Sequence, residues 1–354
     1  MGCCSKRRFS RSFSRRAESG RDSESISLLR AVFLLQWEWF RIYFESGVVK
    51  ILSGEEQWRN LTAMDKYYEN GPLPSWLGWY VQQWPHSFHA FSAGLTLVVE
   101  LLVVWLLFAP RKTSLCRLTA FAIVTPLQIG IILTANYAFL NYLVLCLGIL
   151  LLDDSILRGV APVPRTQKPS MVSAFVLTTI FLTTIAAFVM PAFPTVTLLD
   201  PFRIANRYGL FAVMTRERYE IEFQGTSDGV TWVTYPFRYK PQDVNSRPGI
   251  YAPYQPRFEW NLWFASLGPW QDSRWILNTE VRLMENSEPV LRLFASNPFA
   301  TRPPAAVRAV ASQYWFTTRE ERARTGAWWR RESIGVYAPT ARRMSDGTIS
   351  FDSD

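Results

Sequence analysis

Residues 88–109 read FHAFSAGLTLVVELLVVWLLFA, with Glu100 as their one charged side chain. Residues 171–190 read MVSAFVLTTIFLTTIAAFVM and carry no charge. A helix needs about 17–25 residues to cross a bilayer. Core helices of soluble proteins keep a polar face, whereas these two stretches are apolar all round. The sequence therefore predicts a protein embedded in a membrane.

Five membrane helices are predicted in all, which makes the chain a polytopic α-helical membrane protein. Their approximate bounds are 28–52, 88–109, 118–135, 137–152 and 171–190. The first is the weakest, because Glu38, Arg41 and Glu45 each cost about 2.5–3.5 kcal/mol near a helix centre when unpaired. Their spacing of three and four residues places them on one face, where Arg41 is able to pair with both carboxylates. An interfacial helix is the alternative for this segment.

Basic residues in the short loops predict the orientation. Lys and Arg accumulate on the cytosolic side of a membrane protein, and here they concentrate in the tail 1–25 and in the loops 110–117 and 153–170. The loop 53–86, the turn 134–137 and the region after the last helix are then expected on the lumenal or extracytoplasmic side.

The composition changes along the chain and divides it into four parts. These are a disordered basic tail 1–25, a membrane domain 26–191, a soluble domain 192–340 and a second disordered tail 341–354. The net charge of +9 is explained by the basic tail as an orientation signal, so it does not indicate nucleic-acid binding. The expected partner of such a chain is the lipid bilayer.

The first residues, Met-Gly-Cys-Cys, resemble a lipidation signal. Gly2 is its candidate for myristoylation, and Cys3 and Cys4 are its candidates for palmitoylation. Lys6 stands where that signal usually has Ser or Thr, so an irregular or truncated start of the sequence is the alternative. Residues 192–354 contain no cysteine, which excludes a disulfide scaffold and a thiol-exchange site there.

The loop 53–86 is rich in aromatic residues and contains one glycosylation sequon. Its Trp and Tyr residues between 67 and 84 fit an aromatic belt at the membrane interface. The alternative is a surface that contacts a client protein or lipid. Asn60-Leu61-Thr62 forms an N-glycosylation sequon on the predicted lumenal side, close to a helix end.

Ionisable residues inside membrane helices are functional candidates by default. The predicted intramembrane polar network consists of Glu38, Arg41, Glu45, Glu100, Asn136 and Asn141. In this network, the carboxylate of Glu100 is expected to be satisfied by the charged face of the first helix or by the two asparagines. The rival interpretation is an enzyme or transporter built around these side chains.

The two histidines, His86 and His89, lie three residues apart and share a helical face. Glu100 lies about 16 Å further along that helix, whereas zinc ligands lie about 2 Å from the metal. We therefore expect no metal site and no cofactor. The sequence contains no nucleophile elbow, phosphate loop or HExxH motif, so we predict that the protein is not an enzyme.

The soluble domain is predicted to be mostly β, similar to a β-sandwich, with short helices. Residues 219–240 alternate apolar and polar side chains on both sides of Ser227-Asp228-Gly229, which is a hairpin signal. Short helices are predicted around 272–284 and at Ser287-Glu288-Pro289. A last helix is predicted over 319–331, from a capping box in which Thr317 or Thr318 pairs with Glu320 or Glu321.

Aromatic residues are densest in 251–270 and 319–331, more than one small core would bury. Aromatic side chains are enriched among the anchors of protein interfaces, although tight core packing is the alternative. The client-contact candidates are Trp260, Trp263, Phe264, Trp270, Trp328 and Trp329.

Several long motifs resemble one family. In the membrane region they are FESGVVKILSGEEQWRNLTAMDKYYENGPLPSWLGWY, WPHSFHAFSAGLTLVVELLVVWLLFAPR and LTANYAFLNYLVLCLGILLLDD. In the soluble domain they are YGLFAVMTRERYEIEFQGTSDGVTW, FRYKPQDV and APYQPRFEWNLWFASL. Over roughly 28–335 the chain resembles the lipase maturation factor family.

This resemblance implies a polytopic membrane protein of the endoplasmic reticulum that helps dimeric secreted lipases fold and assemble. Family members usually carry further membrane segments ahead of the motif that begins here at Trp39, where this chain has an Arg/Ser-rich tail. Bacterial relatives, whose clients are unclear, leave an unrelated client in a bacterial inner membrane as the alternative.

Overall fold

The computed structural model describes residues 30–110, 114–137, 139–152, 171–190, 198, 200–202 and 205–352. The predictions about the tail 1–25, including Gly2, Cys3 and Cys4, lie outside these residues, as does the loop 153–170. The chain divides into two compact units. The first comprises the described residues up to Arg59, Gly94–Gln128 and Tyr142–Val213, and the second comprises Asn60–Ala93, Ile129–Asn141 and the described residues from Met214 onward.

Eight helices precede the sheet in the described part of the chain. They are α1 (30–52), α2 (Glu56–Arg59), α3 (Tyr67–Asn70), α4 (Trp76–Gln82), α5 (His86–Leu101), α6 (Ser114–Thr134), α7 (Phe139–Gly148) and α8 (Met171–Val189). Helix α5 continues as a 3-10 helix over Val103–Phe108, and α7 continues as one over Ile149–Leu151.

Two helices among the described residues are long and apolar enough to cross a membrane, His86–Phe108 and Leu115–Thr134. The apolar helix Phe139–Leu151 is shorter than a full span, whereas α8 is 19 residues long and carries no charged side chain. The spans His86–Phe108 and Leu115–Thr134 thus meet the length and hydropathy that a crossing requires, by composition alone.

Helix α1 is buried on every side near its middle, at the five consecutive residues 39–43. The indole of Trp37 donates to Thr184 Oγ1 of α8 at 2.9 Å, and its ring lies 4.8 Å from that of Phe181. Phe40 packs edge-on against Trp105, with ring centroids 4.9 Å apart. This all-round packing fits the prediction of a helix inside a bundle better than that of an interfacial helix, which would keep one face open.

The soluble part is built around one antiparallel sheet. Its strands are β1 (Arg218–Thr226), β2 (Val233–Thr234), β3 (Ala306–Phe316), β4 (Trp329–Val336), β5 (Thr340–Arg343) and β6 (Ile349–Asp352). The order is β2-β1-β3-β5-β6, and β4 pairs with the second half of β3 on the same side as β5. Strand β3 is therefore the centre of the sheet.

Helices cover the apolar face of this sheet. They are α9 (Arg257–Ala265), α10 (Trp275–Met284) and α11 (Glu288–Leu291). A fourth helix, α12 (Arg319–Thr325), follows β3 and contacts Trp79 and Trp328 through Arg322. Ile221 and Phe223 of β1 belong to the same buried cluster as Leu262 of α9 and Ile276 and Leu283 of α10. The predicted β-sandwich is wrong for the described residues, because they form a single sheet whose apolar face packs against helices and not against a second sheet.

Two other expectations about the soluble domain are corrected. The predicted helix 319–331 ends at Thr325, because Gly326 adopts a left-handed conformation with φ 76°. The following residues pair with β3 as β4. The described part of the predicted disordered tail, 341–352, instead contributes to strands β5 and β6, which pair across the turn that contains Gly347.

Local signals in the sequence are confirmed. Strands β1 and β2 pair antiparallel across the predicted turn, where Gly229 has φ +78°. Helix α11 begins after Ser287 with Pro in its first turn. Thr318 and Glu321 form the predicted capping box of α12, in which each side chain bonds the backbone N–H of the other residue.

Candidate functional site

The second face of β1 is polar, and it is buried as well. Arg218, Glu220 and Glu222 alternate along the strand, which places them on the face opposite Ile221 and Phe223. Each of the three charged side chains is exposed by no more than 3%. Burying charges is costly unless they are paired and hydrogen-bonded, so this face must be matched by another part of the chain.

The matching segment is residues 60–93, which belong to the same unit. It comprises most of the loop 53–86 and the first residues of α5. The guanidinium of Arg218 donates to three backbone carbonyls of that segment. They belong to Glu69, at 2.9 Å, to Gly71, and to Pro72, at 3.2 Å. It also pairs with Glu220, whose other carboxyl oxygen lies 2.7 Å from Nζ of Lys240. Arg218 is therefore the residue that attaches the loop to the sheet.

The carboxylate of Glu69 makes the reciprocal contact. It accepts a hydrogen bond from the backbone N–H of Phe316, at the end of β3, at 2.9 Å. Nζ of Lys66 lies 2.8 Å from its other oxygen. Gln83 adds a bond from its side chain to the carbonyl of Thr317 at 3.2 Å. The loop 53–86 is thus in large part a folded piece of the soluble domain, and its Tyr67, which the aromatic-belt prediction placed at the membrane interface, is buried.

The turn 134–137 joins the same unit through Asn136. Its amide nitrogen donates to the carbonyls of Leu73 and Gly249, each at 2.9 Å, and its amide oxygen accepts from the N–H of Tyr251 at 2.6 Å. Pro74 and Ala135 form an isolated antiparallel bridge. These bonds bring together the three segments that the sequence predicts on one side of the membrane.

Glu259 holds the backbone of the FRYK segment. Its carboxylate accepts hydrogen bonds from the N–H groups of Arg238, Tyr239 and Lys240 at 2.7–3.0 Å. Burial raises the pKa of this carboxyl above its ordinary value, and the three N–H donors oppose that rise. The arrangement organises a loop and presents no free group for chemistry.

In the first unit, the predicted ion cluster of α1 forms as expected. Nε of Arg41 lies 2.7 Å from Glu45 Oε1, and Nη1 lies 3.0 Å from Glu38 Oε2. Tyr208 completes the cluster, because its hydroxyl donates to Glu38 and its N–H donates to Glu45 Oε2 at 2.9 Å. Arg41 also donates to the carbonyl of Asn206. The charges are mutually satisfied inside the protein.

Glu100 was expected to pair either with the charged face of α1 or with Asn136 and Asn141. Its partner is on α1, but it is Lys50 and not a member of the predicted network. Nζ of Lys50 lies 2.8 Å from each carboxyl oxygen of Glu100 and 5.2 Å from the ring of Trp58. Gly47 permits this approach, because a Cβ there would lie 2.8 Å from Cβ of Glu100. Asn136 and Asn141 belong to the second unit.

The two histidines have ordinary surroundings. Nδ1 of the exposed His86 lies 3.0 Å from both carboxyl oxygens of Asp65. The ring of the buried His89 packs 5.7 Å from that of Tyr68. No group of three His, Cys, Asp or Glu side chains in the part of the chain that the structure describes is placed to hold a metal ion.

The client-contact candidates differ widely in exposure. Trp328 and Trp329 are buried, the first against Trp79 and the second against Phe316, with ring centroids 5.3 and 4.5 Å apart. These two are core residues and are withdrawn as surface anchors. Trp260, Trp263 and Trp270 are half-buried, whereas Phe264 is 56% exposed.

Sequence reasoning overlooked Arg218, Lys240, Glu69 and Lys50, the residues that connect distant segments. Arg218 and Glu220 sit two residues apart in a strand, which marks a shared face. That spacing alone does not reveal whether the face meets water or protein. The oxygens that Arg218 binds are backbone carbonyls, which leave no trace in the residue types of the loop.

Two family models match the chain. One, described as lipase maturation factor transmembrane domain, matches residues 15–159. The other, described as lipase maturation factor C-terminal domain, matches residues 204–339. The first match contains helices α1–α7, and the second contains strands β1–β4 of the sheet.

Curated relatives carry the same family name. Lipase maturation factor 1 of Homo sapiens is 31% identical over 86% of this chain and 59% of its own length. Lipase maturation factor 1 of Bos taurus is 30% identical over 87% of this chain and 61% of its own length. Lipase maturation factor 2 of Gallus gallus is 28% identical over 96% of this chain and 63% of its own length. The chain thus spans about three fifths of the length of these relatives. No solved structure was found to match it.

Proposed function

The chain belongs to the lipase maturation factor family, and from this premise we propose that it is a membrane-anchored maturation factor. It assists the folding and assembly of secreted lipases, and its clients are dimeric lipases. The observation that carries the proposal is the match of both family domains, in order, to one chain. The chain itself does not act as an enzyme in this role.

The site of action is the lumen of the endoplasmic reticulum, with the chain as a polytopic protein of its membrane. The second unit supports this orientation, because it unites the loop 60–93, the turn that contains Asn136 and the C-terminal sheet. All three follow from the positive-inside rule as non-cytosolic segments. Secreted proteins fold in that compartment, so the soluble domain meets them there.

The geometry supports a holding role over a catalytic role. The buried charges described above are engaged with one another or with backbone groups, as in Arg41 with Glu38 and Glu45, and Lys50 with Glu100. The cavity of about 290 Å³ beside Arg41 has mostly aromatic and aliphatic walls, such as Trp37, Phe40 and Phe108.

Phe264 and Leu267 are the client contacts that this proposal favours. Their side chains are 56% and 43% exposed and lie three residues apart at the end of α9. Partly folded subunits expose apolar surface before they dimerise, and exposed apolar side chains on a helper protein are able to cover it. The half-buried Trp263, whose ring lies 4.9 Å from that of Phe264, is a third member of this surface.

Co-expression of the full chain with a dimeric lipase tests the proposal. In cells without their own maturation factors, the chain should raise the specific activity of secreted lipase. The variant Phe264→Ser/Leu267→Ser should lose most of this rise at an unchanged level of membrane protein. The control is Val230→Ser, which removes an 81% exposed apolar side chain from the hairpin turn and should retain activity. An intact chain that leaves lipase activity at background overturns the proposal.

A further inference from the structure

A cavity of about 520 Å³ lies in the second unit between α4 and α12, and neither the membrane ion pairs nor Phe264 contribute to it. Its lining comes from two short segments that are more than two hundred residues apart in the sequence. The lining residues are Trp79, Tyr80, Arg319, Arg322, Ala323 and Gly326.

The charged groups in this lining are all cationic. Arg319 and Arg322 supply guanidinium donors, and the indole of Trp79 is likewise a group that only donates hydrogen bonds. Glu320 and Glu321 of α12 do not line the cavity. The carboxylate of Glu321 is turned to the backbone N–H of Thr318, from which it accepts a bond at 2.8 Å. A ligand that satisfies this set must carry several acceptor oxygens and negative charge.

Arg322 is held rigidly for such a ligand. Its guanidinium carbon lies 3.6 Å from the ring centroid of Trp328 and 5.0 Å from that of Trp79. The two rings are inclined at 71° to each other, so together they restrict the guanidinium from two sides and lower the entropy that binding would cost. Among the described residues, neither Nε of Arg322 nor Nε1 of Trp79 has a hydrogen-bond partner, although both atoms are buried. Both donors are therefore available to an acceptor that enters the cavity.

Helix α4 places the cavity where two membrane spans leave the bilayer. Its N-cap, Ser75, donates to the carbonyl of Thr134 at 2.8 Å, and Thr134 is the last residue of the span Leu115–Thr134. At its other end, four residues after Gln82, the span His86–Phe108 begins. Gly78 allows α4 to lie directly on the end of the first of these spans, because a Cβ there would meet the oxygen of Thr134 at 2.6 Å.

Exposed aromatic residues at and near the cavity also indicate that it lies at the membrane surface. Tyr80 is 40% exposed, and Trp84, between α4 and the span, is 45% exposed. Trp and Tyr are enriched where the hydrocarbon core meets the lipid headgroups. Lipid phosphates occupy this level, and arginine pockets beside membrane helices bind them through charge-assisted hydrogen bonds.

We propose that this cavity is a binding site for the phosphate group of a membrane phospholipid. Arg319 and Arg322 bind the phosphate oxygens, and Trp79 donates its indole N–H to the same group. The acyl chains extend from the cavity along the beginning of α5. A bound lipid would thereby join α4 to α12, two elements of the soluble domain, at the membrane surface. The site does not depend on the proposed role toward lipases.

Native mass spectrometry of the purified full-length protein in detergent tests this site. The probes are dioleoylphosphatidylglycerol, dioleoylglycerol without the phosphate, and inorganic phosphate. Phosphatidylglycerol should bind, and Arg319→Gln should weaken its binding about tenfold, as expected for the loss of a charge-assisted contact. Arg324→Gln is the matched control, because Arg324 is exposed on the same helix and does not line the cavity.

A second variant keeps the test independent of folding. Arg322→Gln removes the stacked guanidinium and should abolish binding, whereas Arg322→Lys, which keeps the charge, should bind more weakly than the wild type but measurably. Thermal unfolding of each variant shows that the protein is folded. Equal binding of dioleoylglycerol, binding of inorganic phosphate as strong as that of the lipid, or equal weakening by Arg324→Gln would overturn the proposal.

Discussion

Glu280 is a buried carboxyl whose protonation state should govern the stability of the soluble domain. It lies on α10 with no exposed surface, and neither of its carboxyl oxygens has a hydrogen-bond partner among the described residues. Burial raises the pKa of this carboxyl from its ordinary value of 4.5 to about 9, and the nearby N–H of Ala309 opposes the rise only in part. The native protein therefore keeps Glu280 protonated at neutral pH.

The sign of the effect on stability follows from proton binding. Above pH 4.5 the unfolded chain releases the proton of Glu280, whereas the folded protein holds it until about pH 9. The unfolded state then binds one proton fewer, so the free energy of unfolding falls by about 1.4 kcal/mol for each pH unit in this window. At pH 7 the cost is about 3 kcal/mol, as an upper limit. This loss of stability is absent only below pH 4.5, where the carboxyl is protonated in both states.

The substitution Glu280→Gln imitates the protonated carboxyl and removes its titration. We expect the variant to match the wild type near pH 4.5 and to exceed its stability increasingly from pH 5 to pH 8. Thermal unfolding of the full-length protein in a non-ionic detergent, followed by tryptophan fluorescence, measures the difference. Glu285→Gln is the control, because Glu285 is on the surface and pairs with Arg282.

The decisive quantity is the pH dependence of the difference between the variant and the wild type. Other groups titrate in both proteins and cancel in this difference. A constant offset across pH 5–8, or a variant that is less stable than the wild type at pH 8, would refute the argument. Either result would mean that Glu280 is ionised in the folded protein and has an acceptable partner.

Three further predictions concern connections within the units, and a fourth concerns the orientation in the membrane. Arg218→Met should lower the free energy of unfolding by about 3–5 kcal/mol, because three buried carbonyls lose their donor and Glu220 loses one of its two cationic partners; an unchanged melting temperature would contradict this. Arg41→Leu should reduce the carbonate-resistant membrane fraction, since two carboxylates lose their partner; normal accumulation would place this helix face in water. Gly78→Ala should destabilise the soluble unit more than an alanine at the uncrowded Gly94, as its Cβ would meet a backbone oxygen, and thermal unfolding compares the two. In sealed microsomes, added protease should spare residues 214–352 and cut the tail 1–25; cleavage of the sheet would reverse the orientation.

Much of the chain follows rules that act within a few residues. The apolar stretch around Glu100 predicts a membrane helix because no water is present in the bilayer to bond an exposed backbone. The capping box at Thr318 and the turn at Gly229 are equally local, since each depends on one side chain or one backbone angle. For this reason the starts of α11 and α12 and the hairpin were predicted correctly.

The strands at the end of the chain were not predicted, because their stability comes from a distant partner. Ala306 and Val307 of β3 pair with Arg342 and Ala341 of β5, and β4 pairs with residues 310–316. Segments as short as β5 and β6 are not stable alone. The charged, Gly-containing sequence therefore resembles a disordered tail until β3 is placed beside it.

The sequence by itself determined two apolar helices long enough to cross a membrane, the ion pairs one helical turn apart on α1, and caps and turns of the soluble domain. The tertiary structure alone decided that the polar face of β1 is buried, that Lys50 is the partner of Glu100, and that the loop 60–93 is part of the soluble unit. The physical reason is the range of the interaction. Hydrophobic periodicity and capping are encoded by neighbouring residues, whereas a buried charge is tolerated only where a remote segment supplies its partner.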